Sequence, residues 1–179
     1  MSVAAKADYL MAQNLQWVVL DGAQCSEPVW FAHGAELPAY SLFSQQDASL
    51  ADNGPWLVDM TNNRAFVDLC LKKDPLGQGT LWLGSDMPVD RLVQLLRTRL
   101  YAELPGGEAT RFRWYDPRVL FPYLLDSSPE RRQQFLAPLT RLIHADLNPF
   151  YSADHWQVWC RDDNSGDVLS QSVPCKEAN

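Results

Sequence analysis

TRFRWYDPRVLFPYL, residues 110–124, alternates and then stops alternating. In an extended chain Phe112 and Trp114 share one face, and Arg111, Arg113 and Tyr115 the other. The switch falls on Tyr115-Asp116-Pro117-Arg118. Asp116 is suited to cap a helix. Pro117 is suited to the first helical position, where a missing N–H costs little. The stretch therefore reads as strand, turn, helix, with Pro122 interrupting or bending the helix. Repeated along the chain, that succession decides the fold class.

Upstream, SDMPVDRLVQLLRTRLYAEL, residues 85–104, carries the clearest helix start. Asp86 is the expected N-cap, Pro88 sits near the first turn and Asp90 adds favourable charge there. Leu92, Leu95, Leu96 and Leu100 make the apolar stripe, with Arg91, Gln94, Thr98 and Arg99 elsewhere, and PGG ends the helix. LQWVVL, PWLVDM and TLWLGS read as strands, the first ending in an Asp21-Gly22 turn. AYSLFS reads as a short strand, PVWFAHGA as a short helix, and AKADYLMAQN as an N-terminal one. Asn62 or Asn63 caps a helix through Leu71. Downstream, Ser128 caps a helix over SSPERRQQFLAPL, and HWQVWCRDD alternates as a strand with Trp156, Val158 and Cys160 on one side.

Strands alternate with helices through most of the chain. This predicts a single α/β domain, a central mixed sheet flanked by helices with a small helical subdomain near 117–137. The expected organisation is an N-terminal helix over 1–14, the α/β domain over 15–161, and a polar, poorly ordered tail over 162–179.

Composition narrows the function classes. The chain has 179 residues, 46% of them apolar and 21% charged, a globular balance. Its net charge of −7 argues against general affinity for nucleic acid or anionic lipid. One region departs from that sign: Arg91, Arg97, Arg99, Arg111, Arg113 and Arg118 all fall within 91–118. Seven Trp are many for this length. Each indole N–H wants a partner, which places several at the core edge or on a contact surface. The N-terminus has no sustained apolar run, so no signal peptide is expected. No stretch approaches the roughly 20 apolar residues of a membrane helix. A cytoplasmic protein is expected.

Catalytic signals are weak. The four Cys (Cys25, Cys70, Cys160, Cys175) form no CxxC pair, and Cys70 reads as plain core. The three His (His33, His144, His155) form no metal-binding pattern. There is no GxSxG, P-loop or GxGxxG. No metal and no cofactor is expected. Asp21 and Asp116 stand at strand ends, where α/β enzymes place catalytic groups, but an Asp before Pro at a helix start is first a cap.

The succession GPWLVDM (54–60), LWLGSD (81–86), residues 90–120 with Leu96-Arg97 and Tyr115-Asp116-Pro117-Arg118, and FLAPL (135–139) resembles the effector chaperone, or adaptor, family of the bacterial type VI secretion system. WVVLDGA (17–23) resembles that family's first strand and acidic turn. The resemblance covers roughly residues 15–140 in one order. It implies a non-catalytic cytoplasmic protein without cofactor. Such a protein binds a secreted effector, or the C-terminal region of the VgrG spike, and promotes loading onto the VgrG–PAAR tip. Many members carry a further lobe. Here residues 140–179 follow FLAPL, so a cargo surface is expected to be compact or to lie within the shared domain.

Joined to this resemblance, Arg97, Tyr115, Asp116, Pro117 and Arg118 form an expected structural motif, a charge network tying helix, strand end and next helix. Trp30, Trp82, Arg113, Tyr115 and Trp156 are the candidate partner-binding residues, Trp and Arg being favoured anchors. Two alternatives stay open. One is a small hydrolase-like enzyme using Asp21, Asp116 or a cysteine. The other is an immunity protein whose charge suits a basic toxin.

Overall fold

The computed structural model describes residues 2–103, 106–147, 155–162 and 166–174. In chain order the elements are α1 (Val3–Met11), β1 (Trp17–Asp21), α2 (Ser26–Gly34), β2 (Ala39–Ser41), a 3-10 segment (Gln45–Asn53), β3 (Pro55–Asp59) and α3 (Arg64–Lys73). Then come β4 (Thr80–Gly84), α4 (Val89–Thr98), β5 (Tyr101–Glu103), β6 (Ala109–Arg111), α5 (Pro117–Asp126), α6 (Pro129–Leu136), β7 (Arg141–Ala145), β8 (His155–Arg161) and β9 (Val168–Pro174).

Seven strands form one sheet in the order β2-β3-β1-β4-β7-β8-β9, and β5-β6 form a separate hairpin. The fold is α/β in a single domain. The sheet is antiparallel between every pair of neighbours, where the alternation of helices and strands pointed to a mixed one. The reason lies in β1. Helix α3 joins β3 to β4, and these two do run parallel, as a strand-helix-strand unit should. They are not neighbours, because β1 lies between them and pairs antiparallel with both.

Alternate side chains of the central strands feed two cores. Val18, Leu20, Val58, Trp82, Ile143 and Trp156 pack with α1, α2 and α3 on one face. Val19, Leu57, Leu81, Leu83, Leu142 and Trp159 pack with α4, α5 and α6 on the other. Three layers result, helices on both faces of a sheet. The expected helical pair near 117–137 is α5 and α6. Leu120, Leu124, Phe135 and Leu136 from this pair share one core with Leu92 and Leu96 of α4.

Local chemistry sets the element ends. Asn63 caps α3 by accepting from the Phe66 N–H (3.0 Å), Asp116 caps α5 and Ser128 caps α6. Helix α4 starts at Val89, with Pro88 rather than Asp86 at its cap, and ends at Thr98 instead of running to Leu104. The chain leaves it to build the β5–β6 hairpin. The strand expected to reach Tyr115 stops at Arg111. The Arg113 carbonyl accepts from the Asp116 N–H (3.0 Å) and turns the chain, so that Trp114 and Tyr115 are both buried instead of facing opposite ways. The expected disordered tail is also corrected in part. Residues 168–174 pair with β8 as the edge strand β9. Residues 163–165 and 175–179, including Cys175, lie outside the described residues.

Candidate functional site

Three loops meet at one end of β1 and β4. The first is the Asp21-Gly22 turn. Asp21 is 1% exposed; its Oδ1 accepts from the Ala23 N–H (3.1 Å) and its Oδ2 from the Gln24 amide (2.8 Å). Only glycine fits next to it. A Cβ on Gly22 would stand 2.5 Å from the Asp52 carbonyl oxygen. The second loop is Asp74–Thr80. Asp74 accepts from the N–H groups of Gln78 and Gly79 (2.9 and 2.8 Å) and from the Thr80 hydroxyl (3.0 Å). The third is the Arg113–Arg118 turn.

Arginines join these loops. Arg113 Nη2 donates to Asp21 Oδ2 at 2.9 Å and lies 3.5 Å from Asp116 Oδ2. Arg118 grips Asp116 as a fork, Nε to Oδ1 at 2.9 Å and Nη2 to Oδ2 at 2.8 Å, and its Nη1 reaches Gln78 Oε1 at 3.3 Å. Asp116 Oδ1 also accepts the Arg118 N–H (3.0 Å), so one carboxylate caps α5 and holds the fork. Hydrogen bonding to Asp116 raises the Arg118 pKa above its ordinary value. For Arg113, burial works downward, but Tyr115, Asp21 and Asp116 outweigh it and the pKa rises. Burial, with Asp21 adding to it, pushes the Tyr115 hydroxyl up as well.

The expected motif is thus assembled with one substitution. Asp116, Pro117 and Arg118 stand where expected. Arg97 takes no part. Its Nε and Nη2 instead donate to the Ser41 carbonyl (3.2 and 2.8 Å), tying α4 to the edge strand β2. Arg97 lies on the α4 flank that faces β2, and Arg113 fills the place assigned to it. Sequence distance hid the pairing, since Asp21 and Arg113 lie 92 residues apart. Ser85, in the second quoted motif, donates to the Pro138 carbonyl (2.5 Å) and so holds the FLAPL segment against β4.

The partner-binding candidates divide sharply. Trp82 lies in the central strand β4, fully buried, and Trp156 is 3% exposed with Tyr9 of α1 stacked over it (6.5 Å, 12°). Tyr115 is 4% exposed. None of these three presents a surface, and burial between sheet and helices is the reason. The indole N–H groups of Trp82, Trp114 and Trp156 are buried without hydrogen-bond partners, against the expectation that such groups would hold their Trp near the surface. Arg113 is half-exposed but committed to Asp21.

Trp30 is different. It is 69% exposed on α2, next to Phe31, which is 42% exposed and stacked on Phe66 of α3 (6.0 Å, 11°). The two aromatics, with Ala65, Leu69 and the stems of Glu27 and Lys72, line an open groove of about 500 Å³ between α2 and α3. Phe31 was absent from the sequence candidates. The signal was its place beside Trp30 on a helix too short to bury both.

Cys25, Cys70 and His144 point inward. Burial raises the thiol pKa of both Cys25 and Cys70, and the Cys25 thiol donates to the Gly79 carbonyl. His144 is fully buried. Its Nε2 accepts from the Trp159 indole (3.1 Å) and its Nδ1 donates to the Ala145 carbonyl (2.8 Å), and burial lowers its pKa to about 4. Among the described residues no group of three or more His, Cys, Asp or Glu is placed to hold a metal ion. None of the described helices is long and apolar enough to cross a membrane.

Residues 16–134 match the model of a family described as domain of unknown function (DUF4123). The chain belongs to this family. The matched span opens at β1 and closes in α6, so the acid–arginine node and the α2–α3 groove lie within the family domain, while β7, β8 and β9 lie beyond it. No curated protein and no solved structure matches the chain.

Proposed function

We propose that this chain is a non-catalytic adaptor of a type VI secretion system. It holds an effector, or the spike-linked segment of one, in the cytoplasm and promotes its loading onto the VgrG–PAAR spike. Two lines support the reading. The chain is a member of the DUF4123 family, and its ordered motifs resemble those of secretion effector chaperones. Its signature residues also serve architecture: Asp21, Asp116 and Arg118 lock three loops, Ser85 holds the FLAPL segment and Arg97 holds β2. Carboxylates so engaged are poor general acids or bases, because proton transfer would break the ion pairs that order the loops.

The observation that carries the proposal is Trp30. The most exposed large apolar side chain of the described residues stands over an apolar groove with a second aromatic beside it, the composition of a binding hot spot. The test is capture from the source cells with the tagged chain as bait. Near-stoichiometric recovery of an effector or a spike protein is expected, with loss of that protein when the bait carries Trp30→Ala. A folded bait that recovers neither overturns the proposal.

A further inference from the structure

On the opposite face of the sheet, Arg99 ends α4 as its C-cap residue. Its guanidinium lies over the Phe135 ring at 4.4 Å, and its Nη1 is buried with no hydrogen-bond partner. Stacking on a ring face attracts the positive charge but provides no acceptor for an N–H. The helix C-terminus favours a cation, yet a fork of five donors wants a planar, anionic acceptor. Burial lowers the Arg99 pKa to about 10, with Tyr123 partly opposing it.

Two open cavities of about 410 and 430 Å³ flank this side chain. Both are lined by Arg99, Tyr123 and Phe135; Leu95 and Arg131 extend one, Tyr101 and Phe112 the other. Among the described residues no carboxylate lines either cavity. A cationic, aromatic groove on a chain of net charge −7 is a local inversion of sign.

We propose that this groove takes an extended segment of a partner protein, with an internal Asp or Glu on Arg99 and apolar side chains in the cavity on each side. The carboxylate meets the part of Arg99 that lines the cavities and supplies the counter-charge that none of their described lining residues gives it. The aromatic walls take the flanking side chains. Arg99, Tyr123 and Phe135 line both cavities, so a segment seated on Arg99 can place a side chain in each, which favours a chain running through over a chain terminus ending there. The inference rests on the adaptor reading for its kind of partner. It gives the protein a second contact surface, on the sheet face away from Trp30.

The test pans short random peptide inserts, displayed with both ends fused, against the full chain. Wild type should enrich inserts with an Asp or Glu between apolar residues. Arg99→Gln should weaken the best peptide at least about tenfold, and Glu→Gln or Asp→Asn in the peptide should cost the same without adding to it. Arg99→Lys should restore binding only in part, because the fork is lost. Removing an unpaired buried charge should leave the melting temperature of Arg99→Gln equal or higher, and the peptide-side change covers the case of a variant that misfolds. Enrichment lacking an acidic position, enrichment only from a library with free C-termini, equal affinity for wild type and Arg99→Gln, or no enrichment would each overturn the inference. Capture of an effector with unchanged affinity in Arg99→Gln sinks this inference alone. Selection of acidic inserts with no effector captured sinks the adaptor reading alone.

Discussion

Two arginine sites within residues 97–118 share a residue type and differ in everything that follows from it. At the loop node, Arg113 and Arg118 face the buried carboxylates Asp21 and Asp116, and every group in the node has a partner. In the α4–α6 groove, Arg99 faces aromatic rings and has a buried nitrogen with no acceptor. A paired charge fixes geometry; removing one member strands the other. An unpaired one costs desolvation with no carboxylate to offset it. The first kind marks architecture; the second is where we place an outside partner.

The comparison breaks most easily at Asp116. Asp116→Ala removes the α5 cap and leaves Arg118 without its fork and Arg113 with Asp21 alone. Both arginines are about half-exposed and recover some solvation, so a loss of about 3 kcal/mol is expected, the low end for a broken buried pair. Urea unfolding measures it. An unchanged midpoint would show that the node is decoration.

His144 sharpens the same point, because it is a buried ionisable group that stays neutral. Its folded pKa is depressed to about 4, below the ordinary value of 6.5. Between those values the unfolded chain binds the extra proton and the folded chain does not. Stability is therefore full above about pH 6.5 and falls as the pH drops toward 4, by up to about 3 kcal/mol. In His144→Gln that part of the acid sensitivity should be gone. Unfolding curves from pH 7 to 4 with the same slope in both proteins would refute the assignment.

A smaller effect separates fork from charge. Arg118→Lys keeps the positive charge near Asp116 and loses the bidentate geometry, at an expected cost of about 1 kcal/mol. If Lys costs as much as Asp116→Ala, the node depends on shape more than on charge.

The sequence made the node legible and left the groove hidden. Asp116, Pro117 and Arg118 carry their roles in adjacent positions, so capping rules reach them directly. The sheet's core strands were legible for a similar reason: WVVL and TLWLG are short apolar runs bounded by turn residues. RLIHA does not read as a strand. Its His and Arg look polar, and only the fold shows that His144 finds Trp159 across the β7–β8 pair. VLSQSVP was read as tail because an edge strand needs no apolar face; pairing with β8 orders it. Trp30 and Trp82 look alike in composition, and the strand or helix beneath each decides which is buried. Arg99, expected elsewhere on the helix, lies on the apolar stripe and turns inward over Phe135. Counting from Leu92, Leu95 and Leu96, it falls at seven, four and three residues, on the stripe itself. An arginine there was the visible sign of a cation facing inward.

The smallest expected change, and the one with the opposite sign, is Arg99→Leu. Leucine continues the stripe, keeps contact with Phe135 and removes the stranded donor. Replacing a buried charge by an apolar side chain of similar bulk is often neutral or stabilising, and here no carboxylate is left behind to be penalised. A gain of roughly 0–1 kcal/mol is expected, read as an equal or higher urea midpoint. A loss comparable to that of Asp116→Ala would mean that Arg99 is held by the fold after all, through its ring contact and the α4 C-terminus. The two arginine sites would then be one kind of site. A gain would leave a position where the fold prefers leucine and the chain keeps arginine, and a conflict of that sort between local stability and residue choice is where function is most economically sought.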